Sequence, residues 1–117
     1  MSIPPEALQA LSEHPRIVGV KDSENDLERL KTVIAVFCHR PDFAVLIGPS
    51  ALATQALRAG ADGVVPSSGN LVPRLWRELC ECVGAERWTD AAALQSRLDE
   101  VTRVYRNSSG GLTAFQQ

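Results

Sequence analysis

One residue in this chain has both the chemistry and the placement for covalent catalysis. Lys21 closes the run Ile17-Val18-Gly19-Val20-Lys21, and it is one of only two lysines, with Lys31, beside ten arginines. A lysine amine can attack a carbonyl carbon to form a Schiff base, but only as the free base. At its ordinary pKa of ~10.4 an amine is neutral in about 0.04% of molecules at pH 7. Burial can lower that pKa by up to ~3–5 units. An arginine would serve equally in a surface ion pair and could not lose its proton. The plainer alternatives are that Lys21 reaches out to solvent or pairs with Asp22.

The apolar run is too short and too β-branched for a helix and predicts a buried strand. Alternation sets Ile17, Gly19 and Lys21 on one face and Val18 and Val20 on the other, with Gly19 leaving volume beside the lysine stem. Before it, Ala7, Leu8 and Leu11 behind Pro5 predict a short helix that stops at His14-Pro15. After it, Ser23 with Asp26 reads as a capping-box start for a helix carrying Leu27, Leu30, Ile34 and Phe37 and ending near His39-Arg40-Pro41. Phe43 to Ile47 predicts a second strand ending at Gly48-Pro49. Ser50 then opens a helix through Leu52, Ala53, Ala56 and Leu57 that Gly60 closes. Gly63-Val64-Val65 repeats the strand signal. Asn70 is the expected cap of a helix with Val72, Leu75, Trp76, Leu79 and Val83, ended by Gly84, and Thr89 or Asp90 opens a longer one through Leu94, Leu98, Val101 and Tyr105.

Three short strands alternating with helices define an α/β fold of parallel βα units. We read residues 1–117 as a single, partial domain: βα units over 1–84, an extra helix over 85–107 and a flexible tail over 108–117. An open sheet and a slice of a (β/α)8 barrel would both carry ligands at the carboxyl ends of the strands. The segments to inspect are therefore Lys21 to Ser23, Gly48 to Ser50 and Pro66 to Asn70.

The remaining composition narrows the classes. With 44% apolar and 22% charged residues the chain is globular, and its net charge of −2 offers no basic surplus for nucleic acid. Nothing approaches the ~20 apolar residues of a membrane span, and the start resembles no secretory signal, so the expected compartment is cytoplasmic. Cys80 and Cys82 would point roughly 200° apart around a helix, so no metal site is expected, and three cysteines suggest no disulfide framework. His14 and His39 sit in loops beside prolines. Asp22, Ser23 and Asp26 read as helix-start residues, and Trp76 and Trp88 as helix packing.

Ile17 to Ser23, with Asp26-Leu27 following, resembles the sixth strand of the dihydrodipicolinate synthase / N-acetylneuraminate lyase family. Gly48 after the next strand, and Gly60-Ala61-Asp62-Gly63-Val64-Val65 leading to Asn70, are similar to its seventh and eighth strands in order and spacing. The resemblance implies three parallel strands of an incomplete (β/α)8 barrel and a lyase or aldolase acting on pyruvate or a related 2-oxo acid without a cofactor. Lys21 would be the imine lysine, Gly48 would leave room at the mouth, and Val65 would contact the bound keto acid. The chain departs from the family pattern at Pro49-Ser50, where synthases often carry two acidic residues, and at Pro66. It has no Gly-Thr-Thr-like carboxylate loop, and its one tyrosine, Tyr105, lies far along the last helix.

A full barrel takes ~250 residues. We therefore expect a segment inactive by itself, with an inward face of Ile17, Ala44, Leu46 and Val65 left open, that forms homo-oligomers or joins a complementing barrel segment. Two other readings stay open. The Gly60–Val65 stretch before Ser67-Ser68-Gly69 also looks like the strand-eight region of phosphate-binding barrels, and the chain could be a noncatalytic interaction module.

Overall fold

The computed structural model describes the backbone of residues 2–108 and the side chains through Val104. Most of the expected tail, and the Tyr105 side chain, lie outside the described residues. The chain forms two compact units, Met1–Pro66 and Ser67–Gln117.

The first unit runs α1 (Pro5–Ser12), β1 (Gly19–Asp22), α2 (Leu27–Phe37), β2 (Ala44–Ile47), a 3₁₀ turn (Ser50–Leu52), α3 (Ala53–Ala59) and β3 (Gly63–Val64). The sheet is parallel in the order β1-β2-β3, with Lys21 level with Leu46 and Leu46 level with Gly63. Val45 and Ile47, 2% and 1% exposed, fill one face. Leu30, Val33, Ile34 and Phe37 recur at helical spacing and form the buried stripe of α2, which packs against β2. Each such side chain contributes roughly 1.5–3 kcal/mol on burial. Phe37 stacks on Phe43 with ring centroids 4.3 Å apart. Arg40 ties the end of α1 to the turn before β2 by bonding Glu13 and Asp42, and its hydrogen bond holds the Asp42 carboxyl below its ordinary value.

Several boundaries differ from expectation. The first strand starts at Gly19, because the Ile17 N–H is already used in a turn to the His14 carbonyl, 2.9 Å away. Asp26, not Ser23, caps α2: its carboxylate accepts the Arg29 N–H at 3.0 Å. Gly60 closes α3 as expected, at φ 108°, a left-handed turn that favours glycine. Gly19 opens no space beside the lysine. A Cβ there would sit 2.7 Å from the Ala44 carbonyl oxygen, so this glycine permits the close approach of β1 and β2.

The second unit holds a 3₁₀ turn (Ser67–Asn70), α4 (Pro73–Gly84) and α5 (Trp88–Ser108). Trp76, Leu79 and Cys82 on α4 and Ala91, Leu94 and Leu98 on α5 are buried, and the two helices pack as an αα-hairpin. Asn70 does not cap α4. The Ser68 carbonyl takes the Leu71 and Val72 N–H groups, so the chain tightens into 3₁₀ and Val72 becomes the flanking residue. Glu86, at φ 55°, makes the left-handed turn expected at Gly84, and α5 starts at Trp88, ahead of Thr89. Trp88 itself is 36% exposed.

Candidate active site at the strand ends

Strand alternation turns consecutive residues of β1 to opposite faces. Asp22 points to the helix-covered face and is 5% exposed, while Lys21 is exposed on the other. Lys21 shares its face with half-buried Ala44 and Leu46, with Gly63, and with Val65, which is 43% exposed. Hydrogen bonds hold the three carboxyl ends level: the Gly48 N–H donates to the Asp22 carbonyl at 2.8 Å and the Val65 N–H to the Ile47 carbonyl at 2.7 Å. Lys21, Gly48 and Val65 therefore come together on one face at the ends of adjacent strands. Ile17 lies before the strand and is not part of this array.

Gly48 lies against the lysine stem. A Cβ on it would lie 3.0 Å from Lys21 Cε and 2.7 Å from Ser23 Oγ. The lysine stem and the serine hydroxyl thus converge over the glycine, and any side chain there displaces them.

Among the described residues the Lys21 amine has no hydrogen-bond or ion-pair partner, and the alternative pairing with Asp22 does not occur. Asp22 is engaged elsewhere. Its Oδ2 accepts from Arg29 Nε at 3.1 Å and its Oδ1 from the Glu24 N–H at 2.8 Å. Arg29 Nε also lies 3.1 Å from Glu24 Oε1. The sequence reading missed Arg29: the pair spans a turn and a helix start, where no periodicity marks it. The only local signal was an arginine in the first turn of α2, where the helix dipole favours acidic residues.

Of the other segments singled out, Ser68 is fully buried and its hydroxyl accepts the Trp76 indole N–H at 3.2 Å. Its full burial keeps that hydroxyl out of reach of a phosphate from solvent. Among the described residues no three His, Cys, Asp or Glu side chains cluster as metal ligands, and no helix is long and apolar enough to cross a membrane. On α4, burial and the neighbouring Glu81 charge push the Cys80 thiol above its ordinary range.

A parallel sheet with helices on one face and a lysine at the carboxyl end of an edge strand defines the class. The chain matches the model of the dihydrodipicolinate synthetase family over residues 1–111 and belongs to that family. A 4-hydroxy-tetrahydrodipicolinate synthase of Xanthomonas campestris pv. campestris is 38% identical over 96 residues, 82% of this chain and 31% of the relative. Dihydrodipicolinate synthase from Bacteroides thetaiotaomicron superposes with a TM-score of 0.83 at 24% identity, over 88% of this chain and 35% of that one, a likeness of fold. A prophage protein of the dihydrodipicolinic acid synthase family from E. coli K12, solved in complex with pyruvate, superposes with a TM-score of 0.79 at 25% identity, over 87% of this chain and 35% of that one. The chain spans about a third of the length of the curated relatives it matches.

Proposed function

We propose that the chain is the strand-six-to-eight portion of a (β/α)8 lyase or aldolase whose Lys21 forms a Schiff base with pyruvate or a related 2-oxo acid. The observation that carries this reading is the unpaired Lys21 amine on the open face of the sheet, with its stem over Gly48. Attack by the free amine on the keto carbon expels water and leaves an imine. The imine acts as an electron sink for making or breaking the adjacent carbon–carbon bond. Gly48 keeps the lysine stem in place, and Val65 supplies an apolar wall. Family membership and the pyruvate complex of the E. coli relative support the choice of substrate class.

Turnover demands more than an amine. A positioned proton donor typically contributes 10²–10⁴-fold, and the open face offers neither a tyrosine nor a carboxylate-binding loop among the described residues. The isolated chain therefore forms the imine with poor turnover. Its exposed Val65 and the outer edges of β1 and β3 are buried by self-association or by a complementing barrel segment. We place the protein in the cytoplasm, where 2-oxo acids are at hand.

The test is incubation with pyruvate followed by borohydride, read by intact mass. We expect one reduced adduct on the wild-type chain and none on Lys21→Arg. A folded wild-type sample that stays unmodified overturns the proposal.

A further inference from the structure

Lys21 stands on an edge strand, so the sheet offers a ligand of its amine a floor on one side only. That floor is apolar. Leu46 is level with Lys21 and Gly63 with Leu46, and Val65 follows on the same face, 43% exposed. Past the lysine, both neighbouring strands run into proline, at Pro49 and Pro66, which have no N–H to donate. The N–H groups just before them are spent, that of Gly48 on the Asp22 carbonyl at 2.8 Å and that of Val65 on the Ile47 carbonyl at 2.7 Å. Ser50 is engaged within the chain. None of Gly48, Pro49, Ser50, Val65 and Pro66 is charged. The acid closest in sequence, Asp62, lies before β3 at the opposite end of the strands, where its carboxylate accepts the Val45 N–H at 2.7 Å.

A cavity at the end of β1 gives Lys21 its other neighbours, among them Ile3, Leu8, Asp22, Glu24 and Arg29. Its one guanidinium is shared by two carboxylates, with Arg29 Nε 3.1 Å from each. Apart from the reacting amine, that group carries one excess negative charge at neutral pH. A second carboxylate on a bound 2-oxo acid would meet repulsion there. Over the sheet it would give up hydration with no donor in return. A hydrocarbon chain laid on Leu46 and Val65 has no such cost, and it removes apolar surface from water on both partners.

We infer that the part of the substrate beyond the keto carbon is uncharged and apolar: the site takes monocarboxylic 2-oxo acids with a hydrocarbon end set on Leu46 and Val65, in preference to dicarboxylic ones. Val65 is then the specificity-determining residue of the β3 end. The position of the keto carbon rests on the Schiff-base reading, but the preference of the floor is measured without a ketone.

The experiment follows the methyl NMR signals of the full chain during titration with hexanoate and with glutarate at constant ionic strength. Each acid offers one carboxylate to Lys21, neither can form an imine, and they differ at the far end. The Val65 and Leu46 methyls are expected to shift, with half-saturation at a roughly three- to tenfold lower concentration of hexanoate. Equal half-points, tighter glutarate or no movement of these methyls overturns the inference. Val65→Arg, which sets a cation on the floor, is expected to abolish or reverse the preference. Should it fail to fold, Val65→Thr, close in shape but polar, is expected to lower the preference at least twofold. A preference kept in full by either folded variant overturns the assignment to Val65. Borohydride trapping with 2-oxohexanoate and 2-oxoglutarate, run alongside, separates the two claims. Lys21 left unmodified by both acids while the hexanoate preference stands sinks only the Schiff-base reading. Lys21 adducts with both acids and no hexanoate preference sink only the apolar specificity.

Discussion

The two faces of the same three strands differ in everything except their backbone. On one, Val45, Ile47 and Asp22 are each 5% exposed or less and lie under helices. On the other, Val65 is 43% exposed and Lys21 is exposed, without a partner among the described residues. The first face does the work of stability and pairs its buried Asp22 carboxylate with Arg29. The second carries groups that contribute little to folding, which is what a reacting surface requires. Polar and apolar residues arranged for chemistry are usually poor choices for a core, so the least stabilising face is the place to look for function.

That contrast can be broken or sharpened by substitution. The largest effect is expected from Ile47→Ala on the covered face, which removes a side chain 1% exposed and should cost about 2–5 kcal/mol by urea unfolding. Its neighbour Leu46→Ala, on the open face, should cost less than half as much in the same assay. Equal losses would mean that self-association covers Leu46 as fully as the helices cover Ile47. Next comes Gly48→Ala, whose methyl meets Lys21 Cε and Ser23 Oγ. We expect a roughly tenfold slower formation of the borohydride-trapped adduct with little change in unfolding midpoint. A proportionate loss of both would make Gly48 a packing residue.

The smallest effect concerns Cys80 in the second unit, whose thiol is held above its ordinary range by burial first and Glu81 second. At pH 8 iodoacetamide should label exposed Cys38 several-fold faster than Cys80. Because the folded thiol keeps its proton longer than the unfolded one, its contribution to stability is complete below the unfolded pKa. That contribution is lost as pH rises through the folded value. Stability that grows with pH in the alkaline range, attributable to Cys80 by comparison with Cys80→Ala, would contradict the sign.

Much of this was legible in the residues. Short β-branched runs marked three strands in order, and alternation set Gly19 and Lys21 on the face opposite Val18 and Val20. Helix starts were harder. Ser23 and Asp26 both had capping chemistry, and the choice between them depended on the Asp22–Arg29 pair and the Glu24 N–H, which organise the turn before α2 begins. Asn70 was displaced by a carbonyl, that of Ser68, which no side-chain pattern reveals. Gly19 was misread because its neighbour across the sheet, Ala44, is remote in sequence. Arg29 escaped for the same reason that makes it informative: its partners are set by a turn, and turns obey local hydrogen bonding more than periodicity.

The central claim is that one amine, on the uncovered side of the sheet, reacts with a 2-oxo acid. Peptide mapping of the pyruvate-and-borohydride product tests it most directly, since only two lysines compete. The account predicts the reduced adduct on the peptide containing Lys21 and none on Lys31. An adduct divided evenly between the two lysines would show nonselective surface chemistry and contradict it.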